Sequence, residues 1–145
     1  MRSTRHENSA SEGGNFDIDK LAVLLKEQCP QVLFALLHGS AKAGRIKQAG
    51  DIDLGLFIEG KPTLELYEKA SRCVEAVAGN VKCDIGILNN AEPVYHFEAL
   101  TGRLLFFRDE EQYLQFFSLT CREYESQVAD YQRQQHYRLA SGIKE

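Results

Sequence analysis

No run of 18 apolar residues occurs in the 145-residue chain, so no membrane-spanning helix is expected. No apolar core follows the N-terminal methionine, so no secretory leader is expected either. A basic excess is also missing: 17 Lys and Arg stand against 21 Asp and Glu, a net charge of −4. Nonspecific nucleic-acid binding rests on a basic footprint, so direct nucleic-acid binding is not expected. The four cysteines, at 29, 73, 83 and 121, include no CxxC pair and no His at zinc-ligand spacing. They read as small buried hydrophobes in a reducing, cytoplasmic setting. Internal repeats and composition breaks are absent. The length suits one domain with a real core.

What is present begins with a polar tail. Residues 1–15 lack any periodicity and predict disorder, leaving 16–145 as one domain. Asp17 is a candidate N-cap for a helix carrying Ile18, Leu21, Ala22 and Leu25 on one face, ending near Cys29-Pro30. Val32 to Leu37 is a short continuous apolar run, flanked by Pro30 and Gly39, and predicts a buried strand. A loop runs from Gly39 to Gly50, with room for a helical turn from Ser40. A second strand then covers Ile52 to Ile58. Thr63 to Ala78 reads as a helix stopped by Gly79-Asn80. Val81 to Leu88 is a third strand, Pro93 to Leu100 a short helix and Leu104 to Phe107 a fourth strand. A long C-terminal helix follows from Asp109 to about Leu139. Tyr113, Phe117, Tyr124, Val128 and Tyr131 form its predicted buried stripe, with Phe116, Leu119 and Tyr137 off it. The order predicts an α/β (α+β) fold, a small mixed sheet flanked by helices.

The carboxylates carry the chemistry. Residues i and i+2 of a strand share a face, so Asp51 and Asp53 point one way, with Gly55 and Phe57. Lys82, Asp84 and Gly86 share a face of the third strand in the same manner. If the two strands are neighbours, Asp84 joins Asp51 and Asp53. Three such carboxylates repel one another, and a hard cation such as Mg2+ relieves that. Taken alone, an Asp-x-Asp more often marks a strand start with solvated charges. An EF-hand is excluded by apolar Ile52 and Leu54 and by the missing loop glycine.

Gly39-Ser40 ends the first strand where backbone N–H groups can hold phosphate oxygens, and Lys42, Arg45 or Lys47 can add charge. A plain strand-to-helix turn with a Ser cap fits the same residues. Gly39 to Gly44 matches the first part of a P-loop, but Arg45-Ile46 follows where Lys and Ser/Thr are required, which excludes that motif.

Gly39-Ser40, then Asp51-x-Asp53 at a strand head, then Asp84 in a later strand, resembles the nucleotidyltransferase superfamily that includes DNA polymerase β. The tail CDIGILNNAEPVYHFEALTGRLLFFRDEEQYLQFF resembles the minimal nucleotidyltransferases (MNT domain proteins), and the likeness then covers about Asp17 to Leu139. The resemblance implies a polymerase β-like fold and an antitoxin paired with a HEPN-domain RNase toxin. It also implies transfer of AMP from ATP to a toxin tyrosine. Asp51, Asp53 and Asp84 are then the catalytic and Mg2+-holding residues, and Gly39, Ser40, Lys42 and Arg45 the nucleotide-binding ones. One departure stands out. The family loop usually reads G-S-x-A-R-G, and Ala43 stands here at the expected Arg, with Lys42 and Arg45 close by. Neutralisation by binding alone, and transfer to a small-molecule acceptor, are the competing readings. The lack of a second lobe to hold such an acceptor counts against the latter.

Overall fold

The computed structural model describes residues 14–39, 44–46, 51–90 and 101–140. The predicted helix at 93–100, the helical turn from Ser40, and Lys42, Ala43, Lys47 and residues 1–13 lie outside them. The described elements are β1 (Gly14–Asn15), α1 (Ile18–Gln28), β2 (Val32–His38), β3 (Arg45–Ile46), β4 (Asp51–Ile58), α2 (Leu64–Ala78), β5 (Lys82–Ile87), β6 (Arg103–Phe107) and α3 (Glu110–Ala140). A 3-10 turn, Leu88–Asn90, follows β5.

The helix signals act as their chemistry predicts. Asp17 caps α1 by accepting from the Lys20 N–H, and Thr63 caps α2 by accepting from the Leu66 N–H. Gly79 closes α2 at φ +80, a left-handed value that glycine adopts without strain.

Four strands form a mixed sheet in the order β5-β4-β2-β6. β2 pairs antiparallel with both β4 and β6, whereas β4 and β5 run parallel. Ile52, Leu54, Leu56 and Ile58 of β4 are buried on one face, against Leu21 and Leu25 of α1 and Leu66, Ala70 and Val74 of α2. Burial of these side chains is the main source of stability, at roughly 1.5–3 kcal/mol each. The other face carries Phe34 and Leu36 of β2 and Phe57 of β4, and the first turns of α3 cover it. Phe34 stacks on Phe57 at 4.8 Å and meets Tyr113 edge-on at 5.1 Å and Phe116 at 5.2 Å.

That packing rotates α3 relative to the sequence expectation. Phe116 is in the aromatic cluster, while Phe117 is 40% and Tyr131 62% exposed. The inward stripe is Tyr113, Phe116 and buried Thr120, spaced i, i+3, i+7. The aromatic cluster takes side chains from the first turns of a helix about 46 Å long, and most side chains from Glu125 to Leu139 are exposed. Leu119 and Tyr137 are exposed as expected.

A second difference concerns the tail. Gly14 and Asn15, expected to be disordered, pair with Ile46 and Arg45 as a two-strand ladder. The Phe16 N–H donates to the Gly44 carbonyl at 2.9 Å, so the far end of the glycine loop is tied to the entry of α1.

Arg108 fastens the other end of the sheet. Its Nε donates to the Val32 carbonyl at 2.6 Å, and a terminal nitrogen donates to the carbonyls of Lys26 at 2.8 Å and Cys29 at 3.0 Å. These acceptors include carbonyls left over at the end of α1. The guanidinium also lies over the Phe106 ring at 5.4 Å. Arg108→Ala is therefore expected to lower stability by about 2 kcal/mol, since charge-assisted bonds are strong but this side chain is partly solvated. Thermal denaturation should show a loss of about 4–8 °C, with Arg108→Lys between the two.

Candidate active site

The sheet register assembles the site. β4 and β5 are parallel neighbours, with Asp51 opposite Lys82 and Asp53 opposite Asp84. On the other side of β4, His38 of β2 lies opposite Asp53. The condition on which the three carboxylates could meet is thus met. One carboxylate oxygen from each of Asp51, Asp53 and Asp84 lies within 4.8 Å of the others. Asp51 and Asp53 are half-buried and Asp84 is exposed, so the cluster opens to solvent at the strand ends.

The Gly39 loop abuts this cluster. A Cβ placed on Gly39 would stand 3.0 Å from the Asp53 Oδ2, and Gly39 has φ +76. Only a residue without a side chain brings its backbone this close to the carboxylate in that conformation. Ser40 and Lys42 lie outside the described residues. Arg45 is placed by its backbone in β3, at the far end of the same loop.

The site also contains a cation that sequence reasoning did not assign to it. Lys82 Nζ stands 3.9 Å from Asp51 Oδ2. Its signal was its place two residues before Asp84, on the same face. That becomes informative only once the pairing of β4 with β5 is known. The negative field of the cluster reaches the opposite face of β5. Burial, then the charges of Asp84 and Asp53, push the Cys83 thiol up to about 11. Cys83 therefore stays a neutral thiol at physiological pH. The stability linked to this shift is complete below about pH 9 and is lost as pH rises through about 11.

The donors suit a hard divalent ion. All three are carboxylate oxygens, with no sulfur or nitrogen ligand, and Mg2+ favours that set together with water and phosphate oxygens. Two oxygens on one such ion can be at most about 4.2 Å apart. The three oxygens, within 4.8 Å of one another, lie close to that span. Among the described residues, three carboxylates and the Lys82 ammonium give the group −2, the charge that a divalent cation offsets.

Comparison with known proteins identifies the fold and the family. Residues 19–111 match the family described as Polymerase beta, Nucleotidyltransferase. The chain belongs to that family. Among solved structures, a chain from a toxin–antitoxin crystal structure with AMP-PNP is 22% identical, with a TM-score of 0.64, covering 81% of this chain and 94% of that one. A chain from the toxin–antitoxin MntA-HepT is 19% identical, with a TM-score of 0.59, covering 80% and 91%. A third, from a complex of tri-AMPylated Shewanella oneidensis HEPN toxin with MNT antitoxin, is 20% identical, with a TM-score of 0.59, covering 80% and 90%. At these identities the likeness is one of fold. No curated protein matches the chain. Among the described residues, no helix is long and apolar enough to cross a membrane.

Proposed function

We propose that this nucleotidyltransferase is an antitoxin that transfers AMP from ATP to a tyrosine hydroxyl of a partner HEPN-domain RNase toxin. The observation that carries the reading is the convergence of Asp51, Asp53 and Asp84 within 4.8 Å, directly beside the Gly39 backbone. Asp51 and Asp53 would hold Mg2+ at the ATP phosphates, and Asp84 would complete the set. When bound, the metal neutralises the polyphosphate and the charge on the attacking and leaving oxygens. Gly39 and Ser40, with Lys42 and Arg45, grip the β- and γ-phosphates.

The acceptor hydroxyl attacks the α-phosphorus in line. A new O–P bond forms, the bond from the α-phosphorus to the bridging oxygen breaks, and pyrophosphate leaves. The hydroxyl proton passes to the Asp84 carboxylate, which is the exposed member of the three and so the one a docking acceptor reaches first. Most of the acceleration comes from positioning and charge neutralisation.

Two observations support a protein acceptor. The cluster opens to solvent at the strand ends, and fold neighbours come from toxin–antitoxin complexes, one holding a tri-AMPylated HEPN toxin. The exposed Leu119, Tyr131, Tyr137 and Leu139 of α3 offer a surface for such a partner. Ala43, at the position where the family loop usually carries Arg, is the one feature that favours neutralisation by binding alone. Intact-mass and peptide mass spectrometry of a co-purified HEPN partner, after incubation with ATP and Mg2+, tests the reading. Added AMP on a tyrosine is the expected result. An unmodified toxin in a stable complex would support binding alone.

A further inference from the structure

We infer that Lys82 is a built-in counter-ion of the carboxylate cluster, competing with the metal for Asp51 and turning to the ATP phosphates once the metal is in place. The inference rests on the function proposed above.

The register sets Lys82 beside Asp51 one strand over, as it sets Asp84 beside Asp53, so one ammonium and three carboxylates come from a two-by-two block of neighbouring positions. Of the ion pairs between described residues, this one joins two elements, whereas Lys69–Glu65, Arg72–Glu68 and Arg133–Asp130 each lie within one helix. At 3.9 Å the contact is an attraction without a hydrogen bond. Lys82 lies on the edge strand of the sheet and its side chain is 73% exposed, so its long stem is free to relocate.

Its charge has two consequences. Without a metal, the ammonium reduces the repulsion that Asp51 feels from Asp53 and Asp84. With a divalent cation on the carboxylates their charge falls from −3 to −1, so their hold on the ammonium weakens. A polyphosphate arriving at the same strand ends, with more negative charge than the metal-loaded carboxylates, then competes for it. Lys82 would thus bind nucleotide from β5, across the carboxylates from the Gly39 loop, which approaches from β2.

Two measurements separate this inference from the function on which it rests. The first is Mn2+ binding, by electron paramagnetic resonance and calorimetry, without nucleotide or partner. Removing the competing charge in Lys82→Met should tighten Mn2+ binding by about two- to fivefold, the range of an exposed pair. Lys82→Arg should stay within about twofold of the wild type. The second is the KM for ATP in AMP transfer, which should rise about tenfold in Lys82→Met with a smaller change in kcat. Unchanged or weaker Mn2+ binding in Lys82→Met would overturn the counter-ion role. An unchanged KM would overturn the phosphate contact. If the wild-type protein binds no Mn2+ at all, the metal-dependent function itself fails along with this inference.

Discussion

Asp53→Asn is expected to lower nucleotidyl transfer by more than about a thousandfold, equivalent to about 4 kcal/mol of transition-state stabilisation, while leaving the protein folded. Asp53 is the centre of the site. Strand pairing puts His38 on one side and Asp84 on the other, and the Gly39 backbone closes over its Oδ2. Asparagine keeps the shape and removes the charge. That loss weakens the hold on a divalent cation at the step where charge develops on the phosphate oxygens. It also relieves repulsion among the three carboxylates, so the melting temperature should be unchanged or slightly higher. Activity assays beside thermal denaturation check both halves. A purified Asp53→Asn protein that transfers at the wild-type rate would show that the carboxylates do other work.

Gly102→Ala should be the most damaging single change outside the carboxylates. A Cβ there would stand 2.4 Å from the Leu37 carbonyl oxygen and 2.7 Å from the His38 Cβ. The first obstacle is backbone and cannot rotate away, so β6 must shift from β2. The expected loss is at least about 3 kcal/mol, or about 6–12 °C in melting temperature. Because His38 directly precedes Gly39, the same shift should reach the loop beside Asp53 and reduce transfer beyond what unfolding explains. Gly79→Ala is the matched control. A Cβ there meets nothing within 4 Å, so only backbone strain at φ +80 remains, about 1 kcal/mol. Circular dichroism melts of the two variants, with transfer rates measured well below each transition, test the contrast. Equal losses for the two would mean that the approach of Gly102 to β2 is not rigid.

Much of this was legible in the sequence because burial writes a pattern. The apolar runs of β2 and β4 and the i, i+2 placement of Asp51 and Asp53 needed only strand geometry. The cap Asp17 and the stop at Gly79 followed from helix-end chemistry, whereas Thr63, read as the first helical residue, is the cap of α2. What escaped depended on pairing across distance. The ladder between Gly14–Asn15 and Arg45–Ile46 is two residues long and carries no periodicity. The rotation of α3 is decided by Phe34 and Phe57, which Phe116 meets at 5.2 and 5.3 Å. A helix with aromatics on several sides does not reveal which of them the sheet will take. Lys82 could be placed on the face of Asp84 from sequence. Its pairing with Asp51 required the parallel register. Arg108 was visible as part of the tail motif, and its role as a clamp on three carbonyls came only with the fold.

The proposed activity cleaves ATP between the α- and β-phosphates and passes the AMP portion to a protein hydroxyl. Parallel reactions with ATP labelled at the α- or the γ-phosphorus, in Mg2+ and with the HEPN partner, test it most directly. The expected result is that α-label moves to the partner and resists removal, while γ-label is released as pyrophosphate. Transfer of γ-label to the partner, or retention of all label in ATP while the complex remains intact, would contradict it.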